Sequence, residues 1–403
     1  MKILMVNKFL FPNGGSETYI FKLGNALVKQ GNEVEYFGME HPKRIVGNRA
    51  ESYTSPMDFH TGKIQKLLYP FKIIYSREAR IKIRKVLEDF RPDVVHLNNF
   101  NFQITPSVIY EIRKWGKKNG RYVPIVYTAH DYQWICPNHM LLIPEKNEKC
   151  FACEGGKFVN CAKNRCIHSS RVKSILGMLE AELYKRLKTY GKVDLIICPS
   201  EFMKKKLASN SALAGKLKVM YNFLDEKQGM QVEKKDYVLY FGRYAREKGI
   251  HTLVAACRQL PDIHFVFAGK GELEEELLDC SNIKNVGFKS GKELEELIAQ
   301  ARFSIFPSQW YENCPFSVME SQFFGTPVIA ADIGGVPELL EPEVTGELFE
   351  PENVEDLKIK IKSLWYNRDK LSMYTDNCRK KKFESADEYE EKIMDIYRSL
   401  QNE

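Results

Sequence analysis

The chain has 403 residues, 28% of them charged and 12% aromatic, with a formal net charge of +7. That is a soluble globular composition, long enough for two domains with separate cores, and no apolar run reaches the length of a transmembrane span. The charge is uneven: residues 1–200 hold 32 Lys/Arg against 18 Asp/Glu, a surplus of +14, which leaves −7 for the rest. A basic N-terminal half suggests an anionic partner, but RNP-type motifs, helix-turn-helix patterns and zinc-finger spacings are missing, so nucleic acid is not expected.

Ile3 to Val6 reads as a first strand, and the opening residues lack the long apolar region and small-residue cleavage site of a signal peptide. A cytoplasmic protein is therefore expected. Gly14 and Gly15 sit in the following loop, ahead of a helix from about Glu17 to Gln30 that Gly31 closes and a strand at Val34 to Phe37. Glycines at a β-loop-α-β turn bring backbone N–H groups close to a phosphate, although GxGxxG is missing and a dinucleotide fingerprint with it. Residues 62–90 interleave Lys63, Lys66, Lys72, Arg77, Arg80, Lys82, Arg84 and Lys85 with aliphatic side chains. Such a stretch suits an anionic membrane surface, and equally the solvated face of a helix.

Two further strands, Asp93 to Asn98 and Val123 to Thr128, precede His130 and Asp131. A polar pair just past a strand's carboxyl end stands where open α/β sheets bind ligands, whereas His96, inside its strand, reads as structural. Five of the ten cysteines then fall between positions 136 and 166. Cys150, Cys153, Cys161 and Cys166 offer four thiolates for a structural zinc; an iron–sulfur cluster and a set of free thiols are the alternatives. A helix from about Val172 to Tyr190, a strand at Val193 to Cys198 and a lysine-bearing helix complete this half, and the polar run 226–236 reads as a linker.

The pattern restarts with a strand at Tyr237 to Phe241, whose loop carries Arg243 and Lys248. Both cations can reach one diphosphate, arginine as a planar fork and lysine as a point charge. A strand and glycine turn at 265–271, the segment Asn285 to Phe288 and a helix from Glu293 to Ala301 follow. Phe303 to Phe306 is a short apolar strand, then comes a polar loop bearing Glu312, and Pro315 and Ser317 open a helix that carries Glu320 one turn in. Free N–H groups at that helix start suit a phosphate, and the carboxylate ahead of it suits sugar hydroxyls. Next are a strand at Val328 to Ala331, the turn Gly334-Gly335-Val336-Pro337-Glu338 and a helical stretch from Leu371 to Leu400.

Glu312 and Glu320 in E-x7-E spacing, followed by GTPVIAADIGGVPE and preceded by GR-x4-KG, resemble the retaining glycosyltransferases of family 4. The resemblance runs from Gly14 to about Glu350, apart from the basic stretch and the cysteine insert. It implies a GT-B fold: two Rossmann-like, doubly wound α/β domains facing across a cleft. The expected boundaries are 1–225 with an insert at about 136–168, a linker at 226–236, a second domain at 237–384, and a tail at 385–403 packing back on the first. Also implied is transfer of a sugar from a UDP- or GDP-sugar to an acceptor hydroxyl in surface polysaccharide or lipid-linked oligosaccharide synthesis, at the inner face of the plasma membrane. By resemblance, Arg243 and Lys248 bind the diphosphate with Gly15, Pro315, Phe316 and Ser317. Val286 and Phe288 flank the nucleobase, Glu320 takes the ribose, and Glu312 and His130 face the donor sugar. Gly14, Glu17 and Asp131 lie on the acceptor side, and catalysis requires no cofactor. A nucleotide-sugar epimerase or hydrolase on the same architecture, and a non-catalytic sugar-nucleotide-binding scaffold, are the rival readings.

Overall fold

The computed structural model describes residues 1–56, 73–225 and 232–402. The chain forms two compact units, Met1–Tyr221 joined by the segment from Ala386 on, and Asn222–Ser385. The expected linker lies just past this division, and residues 226–231 of it are outside the described residues.

Unit 1 is built on six parallel strands: β1 (Lys2–Val6), β2 (Glu33–Phe37), β3 (Val94–Leu97), β4 (Ile125–Thr128), β5 (Leu195–Cys198) and β6 (Leu217–Val219), in the order β2-β1-β3-β4-β5-β6. The inner strands are buried on both faces and so read as continuous apolar runs, as in Val94–Val95 and Ile125–Val126. Helix α1 (Gly15–Lys29) follows β1; α2 (Arg77–Phe90) and α3 (Ser107–Lys118) pack beside each other. Arg80 and Arg84 of α2 each bond, at 2.5 Å, to a separate oxygen of the buried Glu111 on α3. Burial opposes charge on Glu111, but the bonds from the two guanidinium groups outweigh it and hold the carboxyl below its usual range. Two cations of the basic stretch therefore serve the α2–α3 contact, while Lys63, Lys66 and Lys72 lie outside the described residues. Helices α4 (Arg171–Arg186) and α5 (Glu201–Leu207) flank β5.

Unit 2 repeats the architecture with β7 (Val238–Arg243), β8 (Phe265–Lys270), β9 (Ile283–Asn285), β10 (Phe303–Phe306), β11 (Val328–Ala331) and β12 (Gly346–Phe349). All pair in parallel in the order β9-β8-β7-β10-β11-β12, so the winding reverses between β7 and β10. Open sheets bind ligands beyond the carboxyl ends of strands at such a reversal. Helices α6 (Ile250–Arg258), α7 (Gly291–Gln300), α8 (Phe316–Phe323), α9 (Val354–Tyr366) and α10 (Arg368–Lys380) cover its faces.

The helical stretch expected over 371–400 is two helices, broken at residues 381–385. The second, α11 (Ala386–Asn402), packs on α1 and belongs to unit 1. Tyr389 and Tyr397 reach the core there, where the Tyr19 hydroxyl bonds to Tyr389 (3.0 Å) and to Thr128 (3.1 Å). His96 completes the network, with Nδ1 2.5 Å from the Tyr397 hydroxyl and Nε2 2.7 Å from Thr128.

Candidate active site

At the carboxyl end of β7 the chain turns through Arg243 and a short 3-10 turn to Lys248, and Gly249 adopts φ +75°. A Cβ on Gly249 would stand 1.8 Å from the carbonyl oxygen of Pro307, so glycine lets this loop lie against the one that follows β10. The Gln309 N–H donates to the Glu247 carbonyl (2.9 Å), joining the two loops a second time.

Lys248 meets Glu312 as a result. Its Nζ donates to Glu312 Oε1 at 2.5 Å, and the Ser308 hydroxyl donates to the same oxygen at 2.9 Å. The ammonium also lies 5.0 Å from the centre of the Trp310 ring. Glu312 is held from behind by the second glycine turn, where the Gly335 N–H donates to the Glu312 carbonyl at 2.8 Å. A Cβ on Gly334, at φ +63°, would come within 2.3 Å of that carbonyl oxygen. The glycine pair therefore serves as a backbone seat for the carboxylate, ahead of a 3-10 turn at Val336–Leu339 and not of an α-helix.

Helix α8 begins at Pro315, and no side chain caps its first N–H groups. Phe316 and Ser317 thus present backbone donors at a positive helix end. Asn222 fixes the approach to this end, its side-chain amide donating to the Cys314 carbonyl at 2.6 Å. Glu320 stands half-buried one turn along α8. Arg243 is 60% exposed and bonds to Glu247 at 2.5 Å, so its guanidinium remains open to solvent on its other edges. Past β9, Val286 is tied to β8 through its N–H (2.9 Å to the Phe267 carbonyl), and Phe288 is exposed with Lys270 5.3 Å from its ring centre.

Unit 1 has its own cluster where β1, β3 and β4 end. Asn7 donates to Glu17 at 2.8 Å and accepts from the Asn99 N–H at 3.0 Å. Ser16 also donates to Glu17 (3.0 Å), so this carboxylate, 2% exposed, braces the glycine loop from inside and does not face an open acceptor site. Gly14 has extended backbone, and Gly15 is the first residue of α1. His130 Nε2 donates to the Asn98 side-chain oxygen at 2.9 Å, and the Tyr19 ring meets the imidazole edge-on at 5.1 Å. Burial lowers the His130 pKa to about 3 and, helped by the charge of His130, that of His96 to about 3. His130 is therefore a neutral hydrogen-bonding group at physiological pH, and His96 is a fully paired core residue. Asp131 accepts from the Gln133 N–H (2.9 Å) and shapes the turn after His130.

Sequence reasoning missed Ser308, Trp310, Asn7 and Asn98. The first two stand beside Glu312 in its own loop, and the two asparagines directly follow β1 and β3, where a polar residue after an apolar strand was available as a signal.

Among the described residues no three His, Cys, Asp or Glu side chains converge as a metal-ligand set, so Cys150, Cys153, Cys161 and Cys166 do not assemble the expected zinc site. Cys153, Cys161 and Cys166 instead join Ile143, Phe158 and Ala181 in a small apolar core, with Cys150 at its edge. Burial pushes the thiols of Cys136 and Cys153 up to about 12, and Cys161 keeps its proton through a hydrogen bond with Cys166. The same hydrogen bond holds the Cys166 thiol below its usual range.

The model of glycosyltransferase family 4 matches residues 13–228, and that of glycosyl transferases group 1 matches residues 223–381. The chain belongs to glycosyltransferase family 4. Among its relatives, a glycosyltransferase of Methanocaldococcus jannaschii is 27% identical over 209 residues, 50% of this chain and 58% of that one. The sulfoquinovosyl transferase of Arabidopsis thaliana is 28% identical over 197 residues, 44% of this chain and 38% of that one. The family 4 chain thus spans about half the length of the curated relatives it matches. Among solved structures, sucrose-phosphate synthase from Thermosynechococcus elongatus superposes with a TM-score of 0.70 at 17% identity, covering 99% of this chain and 98% of that one. HepE of Anabaena in complex with UDP gives 0.65 at 18%, covering 99% and 100%. These likenesses establish the GT-B fold for the family 4 chain.

Proposed function

We propose that this family 4 chain moves a sugar, with retention of configuration, from a UDP- or GDP-sugar to an acceptor hydroxyl in the synthesis of a surface polysaccharide or lipid-linked oligosaccharide. The observation that carries the reading is the Lys248–Glu312 pair, seated by Ser308, Gly249 and Gly334 at the reversal of the unit 2 sheet. Ground-state binding of the diphosphate needs only cations. Catalysis needs cations whose attraction grows as the bond from the anomeric carbon to the phosphate oxygen breaks. Lys248 supplies such a charge, the open side of Arg243 a second, and the uncapped start of α8 a dipole.

Glu312 receives both bonds on Oε1, so donor-sugar hydroxyls would meet its other oxygen, and its charge would steady the oxocarbenium-like carbon. Glu320 would hold the ribose hydroxyls, and the Val286–Phe288 backbone the base. In unit 1, His130 would orient a hydroxyl by hydrogen bonding alone, since it is neutral. The new bond runs from the acceptor oxygen to the anomeric carbon, and the acceptor's proton passes to the leaving phosphate oxygen. No step calls on a metal.

The test is nucleoside diphosphate release across UDP-, GDP- and ADP-sugars by wild type, Lys248→Ala and Glu312→Ala. One productive donor, with turnover lost in both variants, is the expected result. Variants that match wild type would remove these roles.

A further inference from the structure

Helix α4 is amphipathic in the reverse sense for a surface helix. Its inward face carries Ser174, Gly177 and Ala181 against the cysteine-bearing insert, where a Cβ on Gly177 would come within 2.4 Å of Ile167. Its outward face carries Val172, Ile175, Leu179, Leu183 and, at the C-cap, Leu187, which are 36–68% exposed. At 3.6 residues per turn these five fall within an arc of about 120°. Soluble proteins scatter single apolar residues over their surfaces, whereas a continuous stripe marks a contact.

Charge identifies the contact. Arg171 and Lys173 stand exposed in the first turn, and Arg186 and Lys188 are exposed at the far end. Of the two acidic residues of α4, Glu180 is buried and Glu182 pairs with Arg186 at 3.0 Å, which leaves Arg171 and Lys173 at one end and Lys188 at the other to carry the charge. A leucine-rich stripe with cations at both ends matches a helix lying in the headgroup region of an anionic bilayer, apolar side chains down and ammonium groups at the phosphates.

The geometry points to α4 as a membrane-docking helix for an anionic lipid surface, in place of the basic stretch at 62–90, part of whose charge is spent on Glu111. This inference stands apart from the sugar-transfer reading, because vesicle binding and donor turnover are measured separately. Among the described residues no helix is long and apolar enough to cross a bilayer, so contact at this helix would be interfacial.

The experiment is co-sedimentation of the full chain with vesicles of phosphatidylglycerol and phosphatidylcholine, against phosphatidylcholine alone. Wild type should pellet with the anionic vesicles only, and added salt should weaken it. Leu179→Ser/Leu183→Ser should cut partitioning at least about tenfold, and Lys173→Glu/Lys188→Glu should do so independently should the first variant melt early. Wild type remaining in the supernatant would overturn the proposal, as would either folded variant binding equally well. So would sedimentation-velocity detection of a dimer that the leucine variant dissolves while vesicle binding is missing, since the stripe would then meet a second copy of the chain.

Discussion

The two sheets end in polar clusters of opposite character. Unit 2 gathers net-charged groups with solvent access: Arg243, Lys248 and Glu312 on loops braced by glycines. Unit 1 gathers neutral or internally satisfied ones: Asn7 on Glu17, Asn98 on His130, and His96 between two hydroxyls. A group that must respond to developing charge has to keep its own, and a group that only orients does better neutral and fixed. Under the proposed function, the same architecture would serve an electrostatic task in one unit and a positional one in the other.

Four experiments bear on that contrast. Removing the unit 2 charge should have the largest effect: Lys248→Ala is expected to lower kcat about 10²–10³-fold with little change in melting temperature. Gly334→Ala keeps every charge but places a Cβ against the Glu312 backbone. A loss of roughly 2–4 kcal/mol in denaturant midpoint analysis, with a parallel fall in turnover, would confirm that seating and charge are separable.

The unit 1 cluster should announce itself in acid. His96 has a folded-state pKa of about 3, below its ordinary 6.5, so the unfolded chain binds the proton first. The stability it contributes is complete above pH 6.5 and is lost as pH falls toward 3. Melting temperature should therefore drop across that window, and His96→Gln should flatten the slope; an unchanged slope would place the acid sensitivity elsewhere. The smallest effect concerns the insert. Of the ten cysteines only Cys150 is more than marginally exposed, so one thiol should react quickly with a disulfide reagent in the native protein and all ten after denaturation. Chelator treatment that raises the native count would restore the metal reading.

Much of this was legible in the sequence for one reason: parallel strands buried on both faces are apolar runs, and the residues just past them are the ligand-facing ones. Phe303 to Phe306 and Val328 to Ala331 were read to the residue, and Arg243, Lys248 and Glu312 stood out at strand ends, with their roles implied by the family resemblance. What escaped depends on contacts far apart in the chain. Nothing near Glu17 announces that Asn7 draws it inward, and nothing near Arg80 names Glu111 as its partner. The glycines of GGVPE read only as a turn because the backbone they approach, that of Glu312, belongs to another loop. Cysteine spacing suggested ligands, yet spacing does not report that these thiols pack among Phe158 and Ala181.

The terminal helix has a consequence for synthesis. Tyr389 and Tyr397 close a buried polar network with Tyr19, Thr128 and His96, so unit 1 is drawn from both sides of the stretch that encodes unit 2. As the polypeptide emerges from the ribosome, unit 2 is contiguous and can complete itself first. The earlier-made unit must wait for the partner of His96 Nδ1 and for the second partner of the Tyr19 hydroxyl until α11 leaves the exit tunnel, which makes the first domain synthesised the last one finished.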